Sequence, residues 1–265
     1  EILKPDGTMA RRADLEDFAA HHHLKLITVE SLSAYRKSVS AADRGAAPGY
    51  ASVTRDSEVN FPTAFGNFRL LTYIREGNGG QQPQHQEHHI ALVKGHPETS
   101  TEPVLVRIHS ECLTGDVFHS LRCDCGSQLH ESLKRLEAAR SGVLVYLRQE
   151  GRGIGLPSKM QAYMLQERGY DTVDANVALG FAPDERSYTA AADILKDLGV
   201  QQILLMTNNP EKIAGLQESG IIVTERVPLI ISPNETNRDY LRAKVKRMGH
   251  LTEIEGYTGH GAFLC

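Results

Sequence analysis

The pattern of this 265-residue chain predicts an α/β fold, with a β-rich opening followed by alternating helices and strands. Three observations predict it. Short apolar runs recur at the length of buried strands, among them Val143-Leu-Val-Tyr-Leu147 and Gln202-Ile-Leu-Leu-Met206. Between them lie stretches of helical period, with Leu129, Leu133 and Leu136 on one face. Upstream, residues 60–73 alternate apolar and polar positions as a hairpin does. No internal repeat is visible.

Composition narrows the function classes. Hydrophobic residues make up 40% and charged residues 23%, the range of globular proteins. A formal net charge of −4 argues against a nucleic-acid or membrane-surface partner, while leaving room for one local basic pocket. No apolar run approaches the ~18 residues of a bilayer span, and no secretory leader is visible. Four cysteines, three of them clustered, do not read as a disulfide scaffold. The expected compartment is the reducing cytoplasm.

Taken in order, residues 1–37 form an opening unit. Asp6-Gly7 signals a turn, 14–23 a helix with Asp14 at its start, 24–29 a strand, and 31–37 a helix capped by Ser31. His21, His22 and His23 are consecutive, so on a helix they point three ways and read as a solvated end, not a metal site. Residues 38–52, rich in Ser, Ala and Gly, form a linker. The hairpin turns around 64–67; 77–85 is a polar, glycine-rich hairpin tip; 89–93 and 104–108 are strands. Helices are then expected at 128–140, 158–168, 188–198, 210–219 and 235–248, with strands at 143–147, 202–206 and 221–223. Residues 252–265 read as a flexible tail.

Four clusters carry chemistry. Cys112-x10-Cys123-x-Cys125 brings three thiols between a strand and a helix, a spacing that suits zinc. Three protein ligands leave an open, catalytic position. A fourth, from His109, Asp116, His119 or Asp124, makes the site structural, and spacing leaves that choice open. Arg148-Gln-Glu150-Gly151-Arg152-Gly-Ile-Gly155 follows a strand and matches neither common phosphate-loop signature. Its glycines let the backbone approach a ligand, its arginines suit phosphate, and Glu150 suits a base or sugar; an ordinary loop is the alternative. The third cluster runs from Asp174 through Asn176, Gly180, Asp184 and Arg186 to Tyr188; Asp184 and Arg186 flank a helix start, where anions are favoured, or else are an N-terminal acid and a surface arginine. Thr207-Asn-Asn-Pro-Glu-Lys212 sits at a strand's C-terminal end, where open α/β sheets bind ligands. Tyr163 on its own reads as a core or rim aromatic.

Together these motifs resemble one family. His109-Ser-Glu-Cys-Leu-Thr-Gly-Asp116, Ser120-Leu-Arg-Cys-Asp-Cys-Gly126, Arg148-Gln-Glu-Gly-Arg-Gly-Ile-Gly-Leu156, Asp184-x-Arg186 and Thr207-Asn-Asn-Pro-x-Lys-Ile213 are similar to GTP cyclohydrolase II, over residues 53–251. Glu1-Ile2, Asp6-Gly-Thr-Met-Ala-Arg11 and the stretch from Leu24 to Arg36 resemble the C-terminal end of 3,4-dihydroxy-2-butanone 4-phosphate synthase. That second resemblance implies a remnant, inactive alone, as in bacterial fusions of the two domains.

The first resemblance implies a GTP cyclohydrolase II-like fold and the entry reaction of riboflavin synthesis. GTP loses formate and pyrophosphate to give 2,5-diamino-6-ribosylamino-4(3H)-pyrimidinone 5′-phosphate. It implies Zn²⁺ on Cys112, Cys123 and Cys125, Mg²⁺ with the triphosphate, and a homodimer. It also implies GTP contacts from Arg107, Ile108, His109, Ser110, Glu111, Gln128, Glu150, Gly151, Arg152, Thr172, Thr207 and Lys212. Asp184 matches a proton acceptor, Arg186 a nucleophile and Tyr163 a ring-opening tyrosine. An arginine nucleophile is chemically unusual, and a phosphate contact suits Arg186 better. His119, the insert at 77–86 and the tail depart from compact members. Two rivals are a variant stopping at the formamidopyrimidine, and an inactive zinc-stabilised nucleotide-binding module in which His119 closes the site.

Overall fold

A computed structural model describes residues 2, 4, 6–28, 31, 52–76, 86–251, 253–254 and 257–258. The chain divides into two compact units, Glu1–Pro48 and Gly49–Cys265.

In the first unit α1 (Arg12–His21) is held at its start by Asp14, whose carboxylate accepts the Arg11 backbone N–H at 2.8 Å. Asp14 therefore lies one turn inside the helix. His21 ends the helix and His23 takes a left-handed φ of 54°, all three histidines being exposed. The strand expected at 24–29 does not form over 24–28, where Leu24, Leu26 and Ile27 stand exposed. A strand exists only within a ladder, and no described residue pairs with this segment. The expected helix at 31–37, the linker and the hairpin tip at 77–85 fall almost wholly outside the described residues.

The second unit is a seven-stranded mixed sheet. Its strands are β1 (Thr54–Thr63), β2 (Gly66–Glu76), β3 (Gln86–Lys94), β4 (Val104–Ser110), β5 (Gly142–Leu147), β6 (Gln202–Met206) and β7 (Ile222–Val227). Their spatial order is β1-β2-β3-β5-β4-β6-β7. The first three strands and β5 pair antiparallel, whereas β5, β4, β6 and β7 run parallel. The β-rich opening is thus one half of the same sheet.

The helices are α2 (Leu113–Asp116), α3 (Cys125–Ala138), α4 (Gly155–Gln166), α5 (Thr172–Ala178), α6 (Thr189–Asp197), α7 (Pro210–Glu218) and α8 (Arg238–Met248). Alternation along the strands divides the core between two faces. Val143, Val145 and Leu147 pack with Ile194, Leu195 and Leu216 of α6 and α7. Leu144 and Met206 pack with Leu133 and Leu136 of α3. Within the expected flexible tail, Glu253–Ile254 and Tyr257–Thr258 pair as a short antiparallel ladder.

This topology opens a crevice. From β4 the chain crosses through α3 to β5 on one side; from β5 it returns to β6 on the other. β4 pairs with β6 only from Val104 to Val106, although it continues beside β5 as far as Ser110. Residues 107–110 therefore line a gap at the C-terminal ends of the parallel strands, the position where such sheets bind ligands.

Candidate active site

Cys112 leaves the end of β4 and starts α2, a single turn closed by Asp116 N–H donating to the Cys112 carbonyl at 2.7 Å. Cys125 is the first residue of α3, three positions earlier than the periodicity suggested. Two glycines let these turns meet. A Cβ on Gly126 would lie 2.2 Å from the Gly115 carbonyl oxygen, and one on Gly115 would lie 2.9 Å from Cys123 Sγ. The result is three free thiols whose sulfurs all lie within 4.8 Å of one another. Cys112 and Cys123 are 3.7 Å apart. A tetrahedral ion with metal–sulfur bonds of about 2.3 Å needs sulfurs about 3.8 Å apart, so the donor set fits zinc in both spacing and softness.

Three of the candidate fourth ligands, His109, Asp116 and Asp124, are hydrogen-bonded elsewhere. His109 Nε2 lies 3.0 Å from Asp116, whose carboxylate also accepts the Cys112 N–H at 3.0 Å and the Tyr146 hydroxyl at 2.8 Å. Asp124 accepts from Lys244 Nζ at 2.9 Å and from the Gln128 amide at 2.5 Å. His119 sits at a left-handed φ of 53° with its ring 5.6 Å from that of His130, and it does not join the cysteine group. Among the described residues, the group that could hold a metal ion consists of the three cysteines alone.

The cleft beside the cysteines is strongly basic, although the chain as a whole is acidic. Six cationic side chains (Arg107, Arg152, Lys159, Arg186, Lys212 and Lys244) line it against two carboxylates, Glu111 and Glu150. Lys159, Arg186 and Lys244 pair with carboxylates; Arg107, Arg152 and Lys212 make no ion pair among the described residues. Arg107 donates to the Met206 carbonyl at 3.0 Å and to Gln128 at 2.6 Å, while its Nε is buried without a partner among the described residues. Burial lowers its pKa to about 10, so it stays charged at neutral pH. Lys212 Nζ donates to the Ile108 carbonyl at 2.8 Å; burial first, then Arg107 and Arg186, push its pKa far down. Arg152 reaches Thr172 Oγ1 at 3.4 Å and keeps NH1 unpartnered. It sits in a run of left-handed residues, Gly151 at φ 64° and Arg152 also at 64°, a backbone costing a non-glycine residue about 1–2 kcal/mol.

Other sequence-selected residues fall into place differently. Ser110, Glu111, Thr172 and Thr207 line the cleft, whereas the Ile108 side chain lies in the core. Glu150 accepts from Leu113 N–H at 2.6 Å, Gly151 N–H at 2.8 Å and Lys159 at 2.8 Å. It braces the loop and leaves little capacity for a base or sugar. Asp184 does not line the cleft; it forms a fork with Arg186, at 2.8 and 3.1 Å from Nε. Burial opposes both charges, but the pairing keeps Asp184 ionised and holds Arg186 firmly protonated. The pair precedes α6 and does not sit at its first turn. Tyr163 faces the cleft under the Arg122 guanidinium, 4.7 Å from its ring centre, and burial pushes its pKa up to about 12.

Residues outside the motifs complete the wall. Lys159 lies one turn before Tyr163 on α4, and Tyr240, Lys244 and Met248 present one face of α8. Spacings of i, i+4 and i+8 were the available signal, in segments whose sequence reads only as helices at 158–168 and 235–248. Asn209 and His250 also line the cleft, each with a buried nitrogen that has no partner among the described residues.

Comparison with known proteins shows the family by sequence. The sequence pattern of GTP cyclohydrolase II matches residues 54–228. The chain belongs to the GTP cyclohydrolase II family. It is 51% identical over 251 residues to the riboflavin biosynthesis protein RibBA of Bacillus velezensis, covering 95% of this chain and 59% of that protein. Likeness to RibBA of Bacillus subtilis is 50% over 251 residues, again covering 95% and 59%. The chain thus spans about three-fifths of the length of these relatives. A crystal structure of RibBX, a two-domain 3,4-dihydroxy-2-butanone 4-phosphate synthase from A. baumannii, shares 26% identity over 87% of this chain and 53% of that one; its TM-score of 0.36 carries no argument about the fold. In this member of the GTP cyclohydrolase II family, the wall formed by α8 lies beyond the matched segment.

Proposed function

We propose that this chain hydrolyses GTP to formate, pyrophosphate and 2,5-diamino-6-ribosylamino-4(3H)-pyrimidinone 5′-phosphate, the first step of riboflavin biosynthesis. One observation carries the reading: a three-thiol cluster and three basic side chains, without carboxylate partners among the described residues, line the same cleft. Cys112, Cys123 and Cys125 would hold Zn²⁺, which when bound supplies Lewis acidity and a water of pKa about 7 for attack at the guanine C8.

The chain's own residues then divide the remaining work. Arg107, Arg152 and Lys212 meet the triphosphate, which enters with Mg²⁺. Arg186 adds a fixed positive charge beside the α-phosphate. Its paired, protonated guanidinium has no lone pair to act as a nucleophile, and Asp184 orients it. Tyr163 keeps its proton at working pH, so it serves as an acid toward a ring nitrogen as the imidazole opens. Thr207, Thr172, Gln128, Ser110, Glu111 and the backbone of 108–109 and 150–151 shape the pocket around the nucleoside.

Residues 1–37 are assigned to the end of a 3,4-dihydroxy-2-butanone 4-phosphate synthase domain, 38–52 to a linker, 53–251 to the cyclohydrolase and 252–265 to a tail. The assignment extends to a homodimer in the cytoplasm, where free thiols stay reduced. No described helix is long and apolar enough to cross a membrane.

The test is product analysis after incubating zinc-replete protein with GTP and Mg²⁺. Formate, pyrophosphate and the diaminopyrimidine are expected in equal amounts; accumulation of a formamidopyrimidine alone would overturn the full reaction. For Tyr163→Phe, turnover is expected to fall about 10²- to 10⁴-fold. Because the Tyr163 pKa of about 12 lies above the working range, the shape of the pH–rate profile between pH 6 and 9 is expected to stay unchanged. Loss of an alkaline limb in that window would contradict this role.

A further inference from the structure

We propose that Lys159 is a positioning residue for the metal centre, holding the Cys112 sulfur in place and offsetting its charge. Its surroundings are fully built. Lys159 is 8% exposed, and its ammonium has three donors and three acceptors: Cys112 Sγ at 3.2 Å, Thr114 Oγ1 at 2.9 Å and Glu150 Oε1 at 2.8 Å. Glu150 Oε2 takes the Leu113 N–H at 2.6 Å, so the Lys159–Glu150 pair grips the chain on the C-terminal side of Cys112. Gly151 belongs to the same packing, since a Cβ there would lie 3.0 Å from Lys159 Cβ.

Charge arithmetic gives the contact its meaning. A divalent ion with three thiolates would carry a net charge of −1, at a site where the Cys112 and Cys123 side chains are buried. One lysine at hydrogen-bond distance from a sulfur sets a positive charge directly against that excess, while Glu150 on its other side holds the ammonium in place. Its N–H···S bond draws electron density from the sulfur and leaves the ion more electron-poor. Groups contacting a metal's direct ligands commonly set affinity as strongly as this position requires. Lys159 also shares α4 with Tyr163, its ammonium 5.7 Å from that ring's centre, so one helix registers the sulfur against the tyrosine.

The inference rests on the three-cysteine zinc reading, and the experiment separates the two. Full-length wild type, Lys159→Met, Lys159→Arg and the double variant Lys159→Met/Glu150→Gln are each loaded with Zn²⁺ for chelator competition, and with Co²⁺ for absorption spectra. The double variant removes both charges of the buried pair, so a loss of affinity there is not an effect of a stranded carboxylate. Zinc affinity is expected to fall about 10- to 100-fold in Lys159→Met and in the double variant, with a shifted sulfur-to-cobalt charge-transfer band. Lys159→Arg keeps the charge and an N–H donor, and is expected to recover much of both readouts. Wild-type affinity and an unshifted band in the double variant would overturn the role of Lys159 while leaving the zinc reading intact. Failure of wild type to bind about one metal per chain would overturn the zinc reading and this inference with it.

Discussion

Cys123→Ser is expected to drop bound zinc from one per chain to near zero and to lower GTP turnover at least about a hundredfold. That floor is the upper end of what losing a mere supporting contact to a metal ligand costs. Serine keeps the size of the side chain but replaces a soft, ionisable donor with a hydroxyl that stays protonated at neutral pH. Among the described residues the nearby donors are engaged: His109, Asp116 and Asp124 are hydrogen-bonded to one another or to Gln128 and Lys244. His119 faces His130 instead. Elemental analysis of the purified variant, alongside product formation and a circular dichroism spectrum, checks the result. Retained turnover without metal would sink the zinc-dependent reading.

Asp124→Asn is expected to lower folding stability by about 3–5 kcal/mol, the usual consequence of leaving one partner of a buried ion pair alone. Asp124 and Lys244 lie 2.9 Å apart with side chains 7% and 12% exposed, so water screens them little. The same carboxylate orients Gln128, which orients Arg107, and the damage therefore runs from α8 to the end of β4. A loss of that size is a large share of the roughly 5–15 kcal/mol typical of a whole domain. Urea titration at neutral pH measures it, and an unchanged midpoint would show that the pair contributes nothing. Asn237 and Asn234 also touch the cysteine loop, donating to the Cys123 and Leu121 carbonyls at 3.5 and 3.4 Å, and both contacts survive the substitution.

The sheet was legible because burial writes itself into apolar runs: β6 lies at 202–206 as its composition suggests, and β5 and β7 begin within one residue of expectation. The three cysteines were legible because metal donors are chemically rare and closely spaced. Other features depend on contacts that no local pattern encodes. α2 is one turn long, and α3 begins at Cys125 where Gly126 packs against Gly115, so neither carries a periodic signal. α5 is a two-turn helix set by Asp171, whose carboxylate caps Val173 and Asp174, inside a stretch read as a ligand cluster. Glu150 looked available for ligand because its motif shows nothing of Leu113 or Lys159. Residues 24–28 show the converse: leucine and isoleucine mark a face to be covered but supply no partner strand.

The position of α8 bears on where this protein ends as a working unit. A chain trimmed at Pro228, where the family match stops, would retain every strand of the large sheet and all three thiols. It would nevertheless lose one side of the cleft, the cation that neutralises Asp124, and the asparagines that brace the cysteine loop. For anyone drawing an expression boundary or transplanting this domain, the minimal unit extends at least to His250.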